Sequence, residues 1–259
     1  MSAMPPSSPG AAVADTVAGQ AGHALALVFA GEPRTLGELA AAIGVSEPDA
    51  AVLVAALERH ELIASDAAGL RAGPAALRFA RVGALRQELL ELAAPALDRL
   101  ARESGETANL IVPTAAGTEA IAQVDGRHLL GATNWLGREL PLHCTAAGKL
   151  FLAHAAAQLP AGPLCSPGPA TITDRDQLQR ELEAIREQGY ATLVDELEDG
   201  LSAVGAPVRG GGGAVIAALT VAGATVRLPP ARLALLGRVA VEQARGVSAA
   251  LLLGEAEPH

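Results

Sequence analysis

Apolar residues recur at helical spacing over the first sixty positions and change to alternation beyond position 105, so the chain predicts a helical front and a sheet-bearing rear. Between Asp15 and Gly31 the residues Val17, Ala21, Ala24, Leu25, Val28 and Phe29 share one helical face. Thr35 is placed to cap a short second helix carrying Leu36, Leu39, Ala40 and Ile43, which stops at Gly44. After Val45 and Ser46 a third helix runs to about His60. Two helices joined by a tight glycine turn, the second with its own cap, form the helix-turn-helix pattern. The stretch SDAAGLRAG after Leu62 and Ile63 then predicts two short strands around a turn, which makes the unit winged.

Pro74 to Ser104 reads as one long linker helix with Leu77, Leu85, Leu89, Leu92, Leu97 and Leu100, broken or kinked near Gly83 and Pro95. Past Gly105 the segments ANLIVPT, GTEAIAQV and RHLLGATN predict strands, with turns at Ala116-Gly117 and Asp125-Gly126. Cys144 to Ala157 returns to helix, and Thr173 is placed to cap another through DRDQLQRELEAIREQ, ended by Gly189. Strands follow at Tyr190 to Val194, Ala203 to Val208 and Ala214 to Ala222, with a turn at Gly210 to Gly213 and a last helix over about Pro230 to Leu253. The expectation is an α+β chain: a disordered tail over 1–14, a winged helix-turn-helix domain over 15–73, a linker helix over 74–104 and a sheet domain over 105–255.

Composition narrows the chemistry. Of 259 residues 50% are hydrophobic and 18% charged, enough apolar surface for a buried core. Alanine supplies 58 positions and aromatics five, which predicts close, small-residue packing. The net charge of -9 argues against indiscriminate binding to a polyanion. The first basic residue after Met1 is Arg34, His23 aside, and no run approaches twenty strongly apolar residues, so a cytoplasmic chain with no membrane partner is expected. Cys144 and Cys165 are too few for a four-ligand zinc site or a disulfide framework, and no dinucleotide fingerprint, P-loop, GxSxG or HExxH occurs. No metal and no cofactor is expected. Lys149 is the single lysine beside eighteen arginines.

The segment Pro141-Leu142-His143-Cys144-Thr145-Ala146-Ala147-Gly148-Lys149 is the most specific signal in the chain. With the run from Gly189-Tyr190-Ala191 to Asp195-Glu196 and Gly200, and Gly205-Ala206-Pro207-Val208 before Ala217 to Gly223, it resembles the effector domain of IclR-type transcriptional regulators. The match extends over roughly residues 20 to 253. It implies an N-terminal winged helix-turn-helix that binds DNA, a linker helix used in forming a homodimer or tetramer, and a GAF-like C-terminal antiparallel sheet flanked by helices that hold a small-molecule pocket. Trp135, Leu142, His143, Cys144, Thr145 and Ala146 are its candidate pocket residues. By motif, the family's acidic ligand place falls on Leu193, its cysteine on Ala203, and its two hydroxyls on Thr220 and Ala222. A cavity stripped of charge favours apolar guests, so a hydrophobic metabolite larger than glyoxylate-like acids is expected.

The DNA-reading turn departs from the family in the same direction. It reads Ser46-Glu47-Pro48-Asp49-Ala50-Ala51-Val52, with two carboxylates where phosphate-binding cations are usual. Residues 20 to 86 hold six arginines against seven carboxylates. Ser46, Ala51, Arg34 and Arg71 are the candidate DNA contacts, with Arg78 beside them. An alternative reading is a repurposed relative that binds or transforms its metabolite as a cyclase or isomerase, with Glu196 or His143 as the acid–base group. His143 and Cys144 at a helix N-terminus raise the further option of an activated thiol. A third reading is a partner-binding regulator that pairs with a DNA-competent homologue.

Overall fold

The computed structural model describes residues 16–32, 35–128 and 134–254. They form two compact units that divide at Arg86 and Gln87, inside the long linker helix. The first unit holds α1 (Val17–Phe29), α2 (Leu36–Ile43), α3 (Glu47–Arg59), β1 (Ile63–Asp66) and β2 (Gly69–Ala72), followed by α4 (Pro74–Ser104). Local chemistry sets these limits. Thr35 and Glu38 form a reciprocal capping box at the start of α2, and Gly44 ends it in the left-handed conformation at φ 73°, where a side chain would be strained. Ser46 caps α3. Ala24, Val28, Leu39, Val54, Leu57 and Ile63 close the small core, while β1 and β2 pair antiparallel from Ile63 with Ala72 to Asp66 with Gly69.

The helix α4 runs through both Gly83 and Pro95, where breaks were expected. An interior proline removes one hydrogen bond and costs on the order of 3 kcal/mol. Leu89, Ala93, Ala96, Leu97 and Leu100 are all buried around it, and that burial offsets the loss.

The second unit is a six-stranded antiparallel sheet in the order β5-β4-β3-β8-β7-β6, built from β3 (Thr107–Pro113), β4 (Thr118–Val124), β5 (Glu139–Leu140), β6 (Ala191–Val194), β7 (Leu201–Arg209) and β8 (Val215–Ala224). One face carries Ala108, Leu110, Val204, Ala206, Val208, Leu219 and Val221 against the C-terminal part of α4 and against α7 (Pro230–Gly254). The other face looks toward α5 (Ala146–Ala153) and α6 (Arg175–Gln188), with Leu150, Phe151, Leu178, Leu182 and Ile185 in its core.

Three expectations shift here. The strand expected at RHLLGATN lies mostly outside the described residues, and the edge beside β4 is instead the short β5, paired as Thr118 with Leu140 and Glu119 with Glu139. The helix expected over 144–157 is trimmed at both ends: Thr145 caps α5 so that it starts at Ala146, and Ala155 at φ 55° lies past its end. Asp174, not Thr173, caps α6, since its carboxylate accepts from Gln177 N at 2.7 Å and opposes the partial positive charge of the helix end.

Candidate functional site

Alternation along the strands puts Asn109 and Ile111 of β3, Thr118 and Ala120 of β4, Leu193 of β6, Leu201 and Ala203 of β7, and Thr220 and Ala222 of β8 around one hollow. The register explains their company: Asn109 stands opposite Thr220, Ala203 opposite Ala222, and Leu193 opposite Ala203. The first turn of α5, with Thr145, Ala146 and Ala147, closes another side, and Trp135, Leu140 and Leu197 complete it. The empty space among these atoms, counting the part that opens to solvent, is about 470 Å³. Little of it is wide enough for a water molecule to move in, so the hollow is a slot. Every described lining residue is uncharged.

Four of the lining side chains are polar, and they differ in what they still offer. Thr145 is spent, because its hydroxyl donates to Pro141 O at 3.0 Å and accepts from Gly148 N at 3.1 Å. Its methyl is what remains for the hollow. Thr220 is 3% exposed on β8. Asn109 and Thr118 are 2% and 1% exposed, yet Asn109 Oδ1 and Thr118 Oγ1 have no hydrogen-bond partner. An unmet buried acceptor or hydroxyl costs about 1–3 kcal/mol, so two beside one cavity call for an explanation.

Of the pocket residues expected from sequence, the structure gathers Trp135, Thr145, Ala146, Leu193, Ala203, Thr220 and Ala222 around the hollow. Leu142, His143 and Cys144 are not among its described lining. They form the stretch that seats α5: a Cβ on Gly148 would fall 2.2 Å from Leu142 O, so the helix lies directly on this segment and only glycine fits. His143 Nε2 is 2.8 Å from Cys165 O, within hydrogen-bond distance. Cys144 lies before the helix cap, fully buried, and burial pushes its thiol up to about 12, which removes the option of an activated thiol at the helix N-terminus. Asn109, Ile111, Thr118, Ala120, Leu140, Ala147, Leu197 and Leu201 were not singled out from sequence. The alternation within ANLIVPT and GTEAIAQV was the signal for the four on β3 and β4.

Glu196 is equally outside the described lining. Both of its carboxylate oxygens accept from Lys149 Nζ, at 2.7 and 2.9 Å, and Glu181 Oε1 accepts from the same ammonium at 2.5 Å. Lys149 is fully buried. Burial pushes the Glu196 carboxyl up, against the opposing pull of Lys149. The triad fastens α5 to α6 and to the turn after β6, and that turn carries the lining residue Leu197. Among the described residues no three His, Cys, Asp or Glu side chains gather to hold a metal ion.

In the first unit the exposed start of α3 presents Ser46, Glu47, Asp49, Ala51 and Val52, the last 72% exposed. Ser46 is held by Asp49, donating to its carboxylate at 2.5 Å. Arg71 pairs with Asp66 across the wing at 2.7 Å, and its guanidinium holds that carboxyl below the usual range. Arg78 pairs with Glu61 at 2.7 Å. Arg34 lies outside the described residues.

Comparison with known proteins agrees with this architecture. Residues 84–249 match the family model described as bacterial transcriptional regulator IclR, C-terminal. The HTH-type transcriptional regulator KipR of Bacillus subtilis is 30% identical over 207 residues, 77% of this chain and 82% of that protein. The HTH-type transcriptional repressor AllR of Klebsiella pneumoniae is 32% identical over 170 residues, 64% of this chain and 62% of its own length. Among solved structures, the Thermotoga maritima IclR covers 90% of this chain and 97% of that one with a TM-score of 0.60 at 24% identity. An IclR homolog from Microbacterium hydrocarbonoxydans, solved in complex with 4-hydroxybenzoate, covers 91% and 99% with a TM-score of 0.58 at 21% identity. At those identities the structural likeness speaks for the fold.

Proposed function

Because this chain belongs to the IclR family of bacterial transcriptional regulators, we propose that its DNA binding is set by a small, largely apolar effector held in the slot between the sheet and α5. The observation that carries this reading is a pre-formed hollow whose described lining is uncharged throughout. A small polar acid would lose water there without a cationic partner, whereas an apolar body gains from burial. The first-turn N–H groups of α5 at Ala146 and Ala147, beyond the reach of intrahelical acceptors, add a weak electropositive edge. A relative of the same fold holding 4-hydroxybenzoate supports a ring-sized guest.

The acid–base groups Glu196 and His143 lie outside the described lining, so the cyclase or isomerase reading finds no titratable side chain in the hollow. Self-association as a homodimer or tetramer is supported by Leu77, Phe79 and Val82, all more than half exposed on the first part of α4. No single described helix is long and apolar enough to cross a membrane, which fits a cytoplasmic regulator.

The test is fluorescence polarisation with the chain's own upstream DNA at about 100 mM salt, followed by a salt series. A regulator binds with affinity that falls steeply as salt rises. Filling the slot with Ala203→Leu should leave that DNA binding in place and abolish its response to effector. Affinity that is absent, or indifferent to salt, overturns DNA binding; an effector response that survives the filled slot overturns the site.

A further inference from the structure

Taking the slot as the effector site, we infer that Asn109 and Thr118 are its two polar anchors, and that the effector is a flat ring bearing a hydrogen-bonding group at each of two opposite ends. These two atoms are the buried side-chain polar atoms left without a partner among the described residues, and both residues line the same hollow. Neither is one of the four ligand places carried over by motif, Leu193, Ala203, Thr220 and Ala222.

Their spacing defines the guest. Thr118 pairs with Pro113 in the register of β3 and β4, four residues along β3 from Asn109 and across the irregularity between Leu110 and Ile111, so the two backbone positions lie at most about 13 Å apart along the strand. With both side chains standing off the sheet on the same face and a hydrogen bond of about 2.9 Å at either end, the guest's polar atoms are left roughly 7 Å or less. That is the span of a six-membered ring substituted at its para positions. Ile111 and Ala120 lie along the slot between the anchors, and Ala203 and Ala222 offer small side chains against which a ring can lie flat. The anchors themselves are neutral: a hydroxyl both donates and accepts, and an amide presents its carbonyl or, turned over, its NH₂. A two-ended neutral guest satisfies both. A one-ended ring leaves one buried group unmet.

The probe is 4-hydroxybenzamide, with benzamide and phenol as its one-ended counterparts, read by calorimetry on the full chain. The two-ended probe should bind at least tenfold tighter than either counterpart, a ratio that one good buried hydrogen bond supplies. Asn109→Leu and Thr118→Val should each erase that advantage, and Thr118→Ser should keep it. The melting temperature without ligand gives a second readout that a merely structural role would move the other way. Removing an unmet polar group should raise it by about 2 °C in each variant, whereas removing a group that supports the fold lowers it.

A lower melting temperature in Asn109→Leu or Thr118→Val overturns the inference. So does equal affinity of wild type and variants for 4-hydroxybenzamide, or failure of the wild type to bind it. If the probe binds the variants as tightly as wild type but is lost on Ala203→Leu, the two-ended anchoring fails and the slot stands as the effector site. If Ala203→Leu leaves binding unchanged as well, the slot reading fails with it.

Discussion

The two faces of the six-stranded sheet are made by the same strands and follow opposite rules. Toward α4 and α7 the side chains are Ala, Val and Leu in close contact, and the buried Glu106 at the margin is answered by two bonds of 2.7 Å from Arg227. Toward α5 and α6 the same strands leave a slot, an amide oxygen and a hydroxyl without partners. Successive residues of a strand alternate between these environments, so Leu219 is sealed in the core while Thr220 faces the slot. One face is packed for stability, and the other gives up stability for room and unmet hydrogen bonds.

The largest expected effect comes from the buried charge that holds the open face together. Lys149→Met leaves Glu181 and Glu196 without their shared ammonium and should cost about 3–5 kcal/mol of unfolding free energy by denaturant titration. The loss should depend on pH in a fixed direction. Without Lys149 the Glu196 carboxyl, already raised by burial, rises further, and a group with a raised folded pKa adds stability at low pH that disappears as pH increases. The variant should therefore sit nearer wild type at pH 5 than at pH 8. A deficit that does not change with pH would mean that Glu196 is not the group left stranded.

A smaller effect separates the two faces directly. Leu219→Ala, on the packed face, should cost about 2–4 kcal/mol, because its neighbours cannot collapse into the cavity. Thr220→Ala, one residue along and beside existing empty space, should cost less than about 1 kcal/mol. Equal losses would show that the slot side is packed as tightly as the core.

The contrast also decides what was legible in the sequence. Caps and stops such as Thr35, Gly44 and Gly189 act through local backbone chemistry, so α2 and the end of α6 are readable to the residue. The packed face announces itself by apolar alternation. Six of the lining residues could be named because the motif at Pro141 to Lys149 and the strand order carry them, and Trp135 because it is the chain's one tryptophan, set just before Gly137. Asn109 and Thr118 could not, since a polar residue inside a strand looks the same whether its side chain is satisfied or orphaned. The fate of Glu196 was hidden for a related reason: its partner Lys149 lies 47 residues away, and only the fold brings them to 2.7 Å. Where the chain's one lysine is fully buried between two carboxylates, its rarity reflects packing and not catalysis.

The mildest measurement tests how tightly the segment behind the slot is closed. Cys144 is buried with its thiol raised to about 12, and Cys165 is exposed, so the two cysteines should divide cleanly under alkylation. The thiolate is the reacting form, and at pH 8 almost none of it forms at Cys144 while the native packing lasts. Iodoacetamide should add one group to the native chain and a second only after unfolding, as read by intact mass. Because Leu142, His143 and Cys144 seat α5, and α5 closes one side of the slot, a slow second addition to the native chain would report local opening of that wall. If an effector fills the slot, it should slow this second addition further while the Cys165 rate stays the same. An effector that leaves the Cys144 rate unchanged would place its binding elsewhere, and the open face of the sheet would then be an unfilled defect and not a site.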